Sequence, residues 1–303
     1  MTPRAMLDRL LQQERINFLL TNRLPRRQLT RFLGWFSQIQ NPWVCWLSIA
    51  IWRVFADVDL SDAKKRRFTS LHDCFIRELK PGARPVDPDP RVLVSPCDAI
   101  VGEAGIIRGG TILQAKGQAY PLAELLGDPG LATQYVGGTY VTLRLTAGMY
   151  HRFHAPCDCR VQQVTYLPGD TWNVNPSTLK RVDRLFCRNE RATIQCRLPA
   201  GQRITLVPIA AILVASIRLH FLNLLLHLNY RGPHVIGCHT DLTKGQEMGW
   251  FQHGSTLILL SSEGFTLRHG IQSGDRVKVG EALLTSPGSV SQASSASSAT
   301  TAG

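Results

Sequence analysis

The stretch "TYVTLRLT", Thr139–Thr146, decides the class of fold. Val141, Leu143 and Leu145 alternate with Tyr140, Thr142 and Arg144. A period of two puts every second side chain on one face, so the stretch predicts a β-strand with an apolar face. Similar short runs surround it, each bounded by turn residues: "RVLVSP" and "GEAGIIRGGTIL" upstream, then "RVQQVTYL", "RATIQCRL", "QRITLVPIAAILVASI", "STLILLSS" and "DRVKVGEALL" downstream. They predict a mainly antiparallel β domain folded on itself as a sandwich or barrel.

The chain before this region has a different texture. Leu7, Leu10, Leu11, Ile16 and Leu19 recur near helical spacing, as do Leu29, Phe32, Leu33, Phe36 and Ile39 after Pro25. Residues 1–63 therefore read as helices, 64–287 as a β-rich domain, and 288–303, rich in Ser, Ala, Gly and Thr, as a disordered tail. "SLHDCFIREL" adds a short helix before the helix-breaking "KPGARPVDPDP". The fold class is α+β.

The formal net charge is +12, and residues 1–34 hold seven Arg against only Asp8 and Glu14. Such a balance attracts polyanions. Zinc-finger, helix-turn-helix and aromatic RNA-binding patterns are absent, which points away from nucleic acid. The basic run "RLPRRQLTR" lies beside an apolar stripe and Trp35, Trp43, Trp46 and Trp52, a combination suited to a helix in a membrane interface. Packing of that stripe on the rest of the protein is an equal alternative. Two apolar runs, between Pro42 and Arg53 and from Ile204 to Ile217, fall short of the ~20 residues needed to span a bilayer. The second reads as buried strands. No secretory signal pattern opens the sequence, so the eight Cys are expected as reduced thiols in the cytoplasm.

"MYHRFHAPCDC" crowds His151, His154, Cys157 and Cys159 into nine residues. Its H-x2-H-x2-C-x-C spacing, interrupted by Pro156, matches no standard zinc pattern, so no metal is expected. Structural His and Cys remain an alternative on these residues alone. Farther on, Gly254-Ser255-Thr256 stands at the entrance to an apolar β run. A Ser hydroxyl after a Gly carbonyl, next to a general base, is equipped to attack that carbonyl, although Gly-Ser-Thr is also a common turn.

Read together, five ordered segments carry a stronger signal: "LHDCFIRELKPGARPVDPDPRVLVSPCDAIV", "GMYHRFHAPCDCRV", "YLPGDTWNVNP", "LFCRNERATI" and "KGQEMGWFQHGST". The sequence resembles the bacterial phosphatidylserine decarboxylase family over roughly residues 64–285. That resemblance implies a proenzyme that cuts its own Gly254–Ser255 bond, giving a β chain of residues 1–254 and an α chain of 255–303. It implies a triad in which His154 takes the Ser255 proton and Asp98 orients and stabilises the imidazolium. It implies a pyruvoyl cofactor made from Ser255, whose ketone forms a Schiff base with phosphatidylserine and accepts the electrons left by CO2. His151 would then protonate the carbanion on the way to phosphatidylethanolamine.

The partners so implied are phosphatidylserine and an anionic membrane, with the enzyme peripheral on the cytoplasmic face; a homo-oligomer is compatible with the sequence. His253, Ala99, Ala210 and Ala215 depart from the family pattern and bear on processing and specificity. Two other readings are a pyruvoyl decarboxylase of a soluble amino acid and an uncut, inactive membrane-binding paralogue.

Overall fold

The computed structural model describes residues 26–114, 117–179, 181–211, 216–252 and 255–286. The expected helix over the first 25 residues, the tail, His253, Gly254 and Ala215 lie outside the described residues.

The chain opens with helices α1 (Arg26–Ser37) and α2 (Pro42–Phe55). Asn41 caps α2, accepting from the amides of Trp43 and Val44, and Pro42 occupies the first turn, where its missing N–H costs nothing. A shorter helix, α3 (Leu71–Phe75), follows. It covers only half of "SLHDCFIREL" because β-type pairing begins early, with Ala63 bridging to Leu79.

The rest is antiparallel β, as the alternation predicts. The strands that carry the argument are β1 (Val92–Val94), β2 (Ala99–Ile106), β3 (Thr111–Gln114), β4 (Gln118–Pro121), β5 (Thr139–Leu145), β6 (Arg152–His154), β7 (Cys159–Leu167), β8 (Arg191–Arg197) and β9 (Arg203–Ile209). They continue through β10 (Ser216–Leu219), β11 (Leu224–His227), β12 (Val235–Leu242), β13 (Glu247–Gln252), β14 (Ser255–Ser261), β15 (Thr266–Leu267), β16 (Arg276–Val277) and β17 (Ala282–Thr285). One eight-stranded sheet runs β12-β7-β8-β9-β14-β5-β2-β16, and a four-stranded sheet runs β11-β10-β13-β6. The large sheet ends on β12 and β16, so it is not a closed barrel.

Two apolar layers fix this arrangement. Val141, Leu143 and Leu145 of β5 and Leu257 and Leu259 of β14 face Phe153, Ile217 and Phe251 of the smaller sheet. On the opposite face Tyr140, Ile258, Leu260, Val207 and Ile209 pack under Ile112, Tyr120 and a set of short helical turns carrying Leu122, Leu125 and Leu131. β5 is therefore covered on both sides, and two of its polar side chains are satisfied locally: Thr142 Oγ1 accepts from Gln114 Nε2, and the Tyr140 hydroxyl accepts from the Leu113 amide. The run Ile204–Ile209 is buried strand, as expected. No helix among the described residues is long and apolar enough to cross a membrane.

Candidate active site

The site forms at the C-terminal end of β5. Ser255 opens β14 and pairs with Leu145, the last residue of β5; on the other flank of β5, Ile100 pairs with Arg144. Asp98, just before β2, thus lies at the same end of the sheet as Ser255. The connector from β5 leads directly to His151 and β6. His151 is tied to β13, the strand that precedes Ser255, since its carbonyl accepts from the Phe251 amide at 2.9 Å. His154 is tied to the Asp98 loop, since its amide donates to Pro96 O at 2.7 Å. The structure therefore brings the backbones of Asp98, His151, His154 and Ser255 to one end of β5. Gly254 falls outside the described residues.

The imidazoles are held in defined tautomers. His154 Nδ1 lies 2.9 Å from Gly245 O, and a carbonyl can only accept, so Nδ1 carries the proton in the neutral ring. Its Nε2 holds the lone pair and faces the Tyr150 hydroxyl at 3.1 Å. Burial pushes the His154 pKa down; the Gly245 carbonyl and the charges of Glu247 and Asp98 oppose that shift. The same logic applies to His151, whose Nδ1 donates to Met149 O at 2.8 Å and whose ring centroid lies 4.0 Å from that of Phe75.

The carboxylate is engaged elsewhere. Arg84 Nε donates to Asp98 Oδ1 at 2.9 Å, its Nη2 donates to Oδ2 at 2.6 Å, and the Val279 amide donates to Oδ1 at 2.9 Å. A bidentate Arg–carboxylate fork of this kind is strong and directional. Both His154 ring nitrogens have other partners, and among the described residues no hydrogen bond links His154 to Asp98. Gly245 O is thus the group that orients the ring, while Asp98 acts on it through space.

Several participants were not singled out in the sequence. Arg84, Tyr150 and Gly245 lie inside the quoted motifs, so their presence was visible but not their partners. Glu247 receives Arg152 Nη1 at 2.7 Å and stands opposite His154 across the β13–β6 pair. His72 is a third histidine at the site: Gln252 Nε2 lies 3.3 Å from its ring, and burial pushes its pKa down. The Asn189–Arg191 segment is a clamp. Asn189 bonds Trp172 through both its N–H and C=O and also donates to Ala210 O, while Arg191 donates to the carbonyls of Leu125, Glu124, Cys187 and Asn189. Ala99 and Ala210 are buried in the core. Among the described residues no three His, Cys, Asp or Glu side chains are placed to hold a metal ion.

A family profile described as "Phosphatidylserine decarboxylase" matches residues 71–285. The chain belongs to the phosphatidylserine decarboxylase family. Relatives named "Phosphatidylserine decarboxylase proenzyme" agree over nearly the whole length. That of Anaeromyxobacter sp. (strain K) is 36% identical over 269 residues, covering 86% of this chain and 94% of the relative. That of Chromobacterium violaceum is 35% identical over 283 residues, covering 89% and 99%. That of Brevibacillus brevis is 34% identical over 272 residues, covering 88% and 96%. The decarboxylase family match spans β1 to β17 and leaves α1 and α2 outside it.

Proposed function

We propose that this chain is a proenzyme that cuts its own Gly254–Ser255 bond, converts Ser255 to a pyruvoyl group, and decarboxylates phosphatidylserine to phosphatidylethanolamine at a membrane surface. The observation that carries the reading is the convergence of Asp98, His151, His154 and the head of β14 at one end of β5, in a chain of this family.

His154 is the base of self-cleavage. Its Nδ1–H is anchored on Gly245, so Nε2 is the nitrogen that takes the Ser255 proton, and burial keeps it neutral and ready to do so. The Ser255 oxygen then attacks the Gly254 carbonyl, the peptide C–N bond breaks, and residues 1–254 are held as an ester on Ser255. Elimination of that ester releases the 1–254 carboxylate. Hydrolysis of the remaining enamine releases ammonia and leaves the pyruvoyl group. Asp98, fixed by Arg84, stabilises the imidazolium by its charge.

The site suits a pyruvoyl group: Ser255 heads a strand paired to β5 from its first residue and to β9 from Thr256, followed by fully buried Leu257 and Leu259, so the backbone there is held in a fixed register. The group supplies an electron-withdrawing carbonyl that takes up the electron pair left when CO2 departs. His151 keeps its Nδ1–H on Met149 O and, as the imidazolium, gives the Nε2 proton to the product carbon, returning to the neutral Nδ1–H tautomer.

A membrane location is supported by the face of α1 and α2 that no other described residue covers. Phe32, Trp35, Trp43, Trp46, Leu47 and Phe55 are all more than half exposed, Trp43 and Trp46 of α2 at 79% and 65%. Patches of this kind mark interaction surfaces, and Trp favours the lipid interface. We place the enzyme peripherally on the cytoplasmic face, with its two chains remaining together after cleavage.

Intact-mass measurement of the purified protein, paired with CO2 release, tests the reading. Two chains are expected, the shorter one blocked at its N-terminus, with CO2 released from phosphatidylserine in vesicles and not from free serine. Ser255→Ala and His154→Ala should stay a single chain. An active preparation consisting of one uncut chain would overturn self-processing, and normal cutting in His154→Ala would overturn the assignment of the base.

A further inference from the structure

Arg144 stands out among the arginines. Arg77 donates to the carbonyls of Gly148 and Asp59, Arg84 to Asp98 and Asp62, and Arg152 to Glu247 and Ile76 O. Arg191 is held by four carbonyls, Arg184 by Glu124, and Arg218 by Asn223. Arg144 is half-buried on β5, and among the described residues it is the one shielded arginine without a hydrogen-bond or ion-pair partner. Burial pushes its pKa down, and no carboxylate opposes the shift. A desolvated cation without an anion is costly.

Its neighbour is similarly incomplete. Arg144 pairs directly with Thr256, so the two side chains share a face with Cβ atoms about 5 Å apart. Thr256 is fully buried, and its Oγ1 has no hydrogen-bond partner among the described residues. Ile100 and Ile209 flank the pair across the neighbouring strands, giving it apolar walls. An arginine and a threonine hydroxyl, neither with a hydrogen-bond partner among the described residues, therefore share one face of the sheet one residue beyond Ser255. The Ser255 Cα, where the proposed chemistry takes place, lies in the strand backbone and borders both faces.

We propose that Arg144 and the Thr256 hydroxyl form a subsite for the phosphodiester of the lipid headgroup. The inference rests on the reading of this chain as a phosphatidylserine decarboxylase. The phosphodiester is a better ligand here than the reacting carboxylate, on electrostatic grounds. A carboxylate paired with Arg144 would be stabilised before the reaction and would lose that pairing as CO2 forms, which raises the barrier. The phosphodiester keeps its charge throughout, so its contact contributes equally before and during the reaction. Loss of such a contact appears in KM and leaves kcat unchanged.

The test compares two substrates on the processed enzyme, in one detergent and normalised to the cut chains seen by intact mass. One is phosphatidylserine; the other is O-hexadecyl-serine, which keeps the amine, carboxylate and a lipid tail but has no phosphate. Arg144→Gln should raise KM for phosphatidylserine about tenfold or more, with kcat within about twofold and no change on O-hexadecyl-serine. Arg144→Lys, which keeps the charge and loses the planar fork, should raise it about threefold, again on phosphatidylserine alone. It carries the comparison if the Gln variant does not mature. Equal changes on both substrates, or none on either, overturn the subsite and leave the decarboxylase reading intact. A wild-type enzyme that releases CO2 from neither substrate overturns both.

Discussion

Trp43 and Trp46 on α2 stand 79% and 65% exposed, whereas Leu257, Ile258, Leu259 and Leu260 on β14 are fully buried. Both segments are strongly apolar, and they differ in what covers them. β14 lies in the middle of a sheet with an apolar layer on each face, so every side chain finds a neighbour. The outward face of α2 has none among the described residues. Burying a large apolar side chain contributes about 1.5–3 kcal/mol; in β14 that free energy stabilises the fold, and in α2 it remains available for a surface outside the molecule. On the proposed reading the two regions have separate tasks, β14 holding the site in place and α2 meeting a membrane surface.

That contrast can be broken by substitution. Arg84→Ala strips the partner from a buried carboxylate and is expected to destabilise by about 3–5 kcal/mol, seen as a lowered denaturant midpoint, with processing impaired at the same time. Leu259→Ala should cost about 2–5 kcal/mol through the cavity it leaves between the two sheets. The double variant Trp43→Ser and Trp46→Ser should shift stability by less than about 0.5 kcal/mol yet lose most of its co-sedimentation with anionic vesicles. Should it instead unfold as readily as Leu259→Ala, the helical face is a packing surface and the division of tasks falls.

A subtler test is pH. The folded pKa of His154 is depressed by burial, so the neutral base persists below the ordinary imidazole range. The self-cleavage rate should stay level as pH falls through about 6.5 and decline only below it. The linkage has a definite sign: the unfolded chain binds this proton first, so the stability contributed by neutral His154 is complete above the unfolded pKa and is lost as pH falls. A cleavage profile with its inflection above the ordinary range would show that another group is the base.

Much of the sheet was legible because its central strands obey simple rules. β5 alternates, and β9 and β14 are continuous apolar runs, as strands covered on both faces must be. The strands that escaped notice are governed by long-range contacts. β6 has only three residues, the edge strand β12 mixes polar and apolar positions, and β13 contains Gly249, where a side chain would collide with the backbone of Arg218 on β10. The site divides the same way. Asp98, His151, His154 and Ser255 were named through family motifs. The pairing of Asp98 with Arg84 and of His154 with Gly245 depends on segments that meet only in the folded chain, so the triad implied by the family resemblance named the residues without these partners.

The position of β14 has a consequence for the lifetime of the enzyme. It is inserted between β5 and β9, and the segments after it pair with β1 and β2. If the bond before Ser255 is cut as proposed, a central strand of the sheet would belong to a separate molecule. An uncut precursor folds as a first-order process, at a rate independent of concentration. A cut pair, once unfolded, would have to find each other again, a second-order encounter that becomes slow when the protein is dilute. Such a cut would make unfolding effectively one-way, and survival of the cut form would depend on how rarely the sheet opens rather than on how readily it reforms.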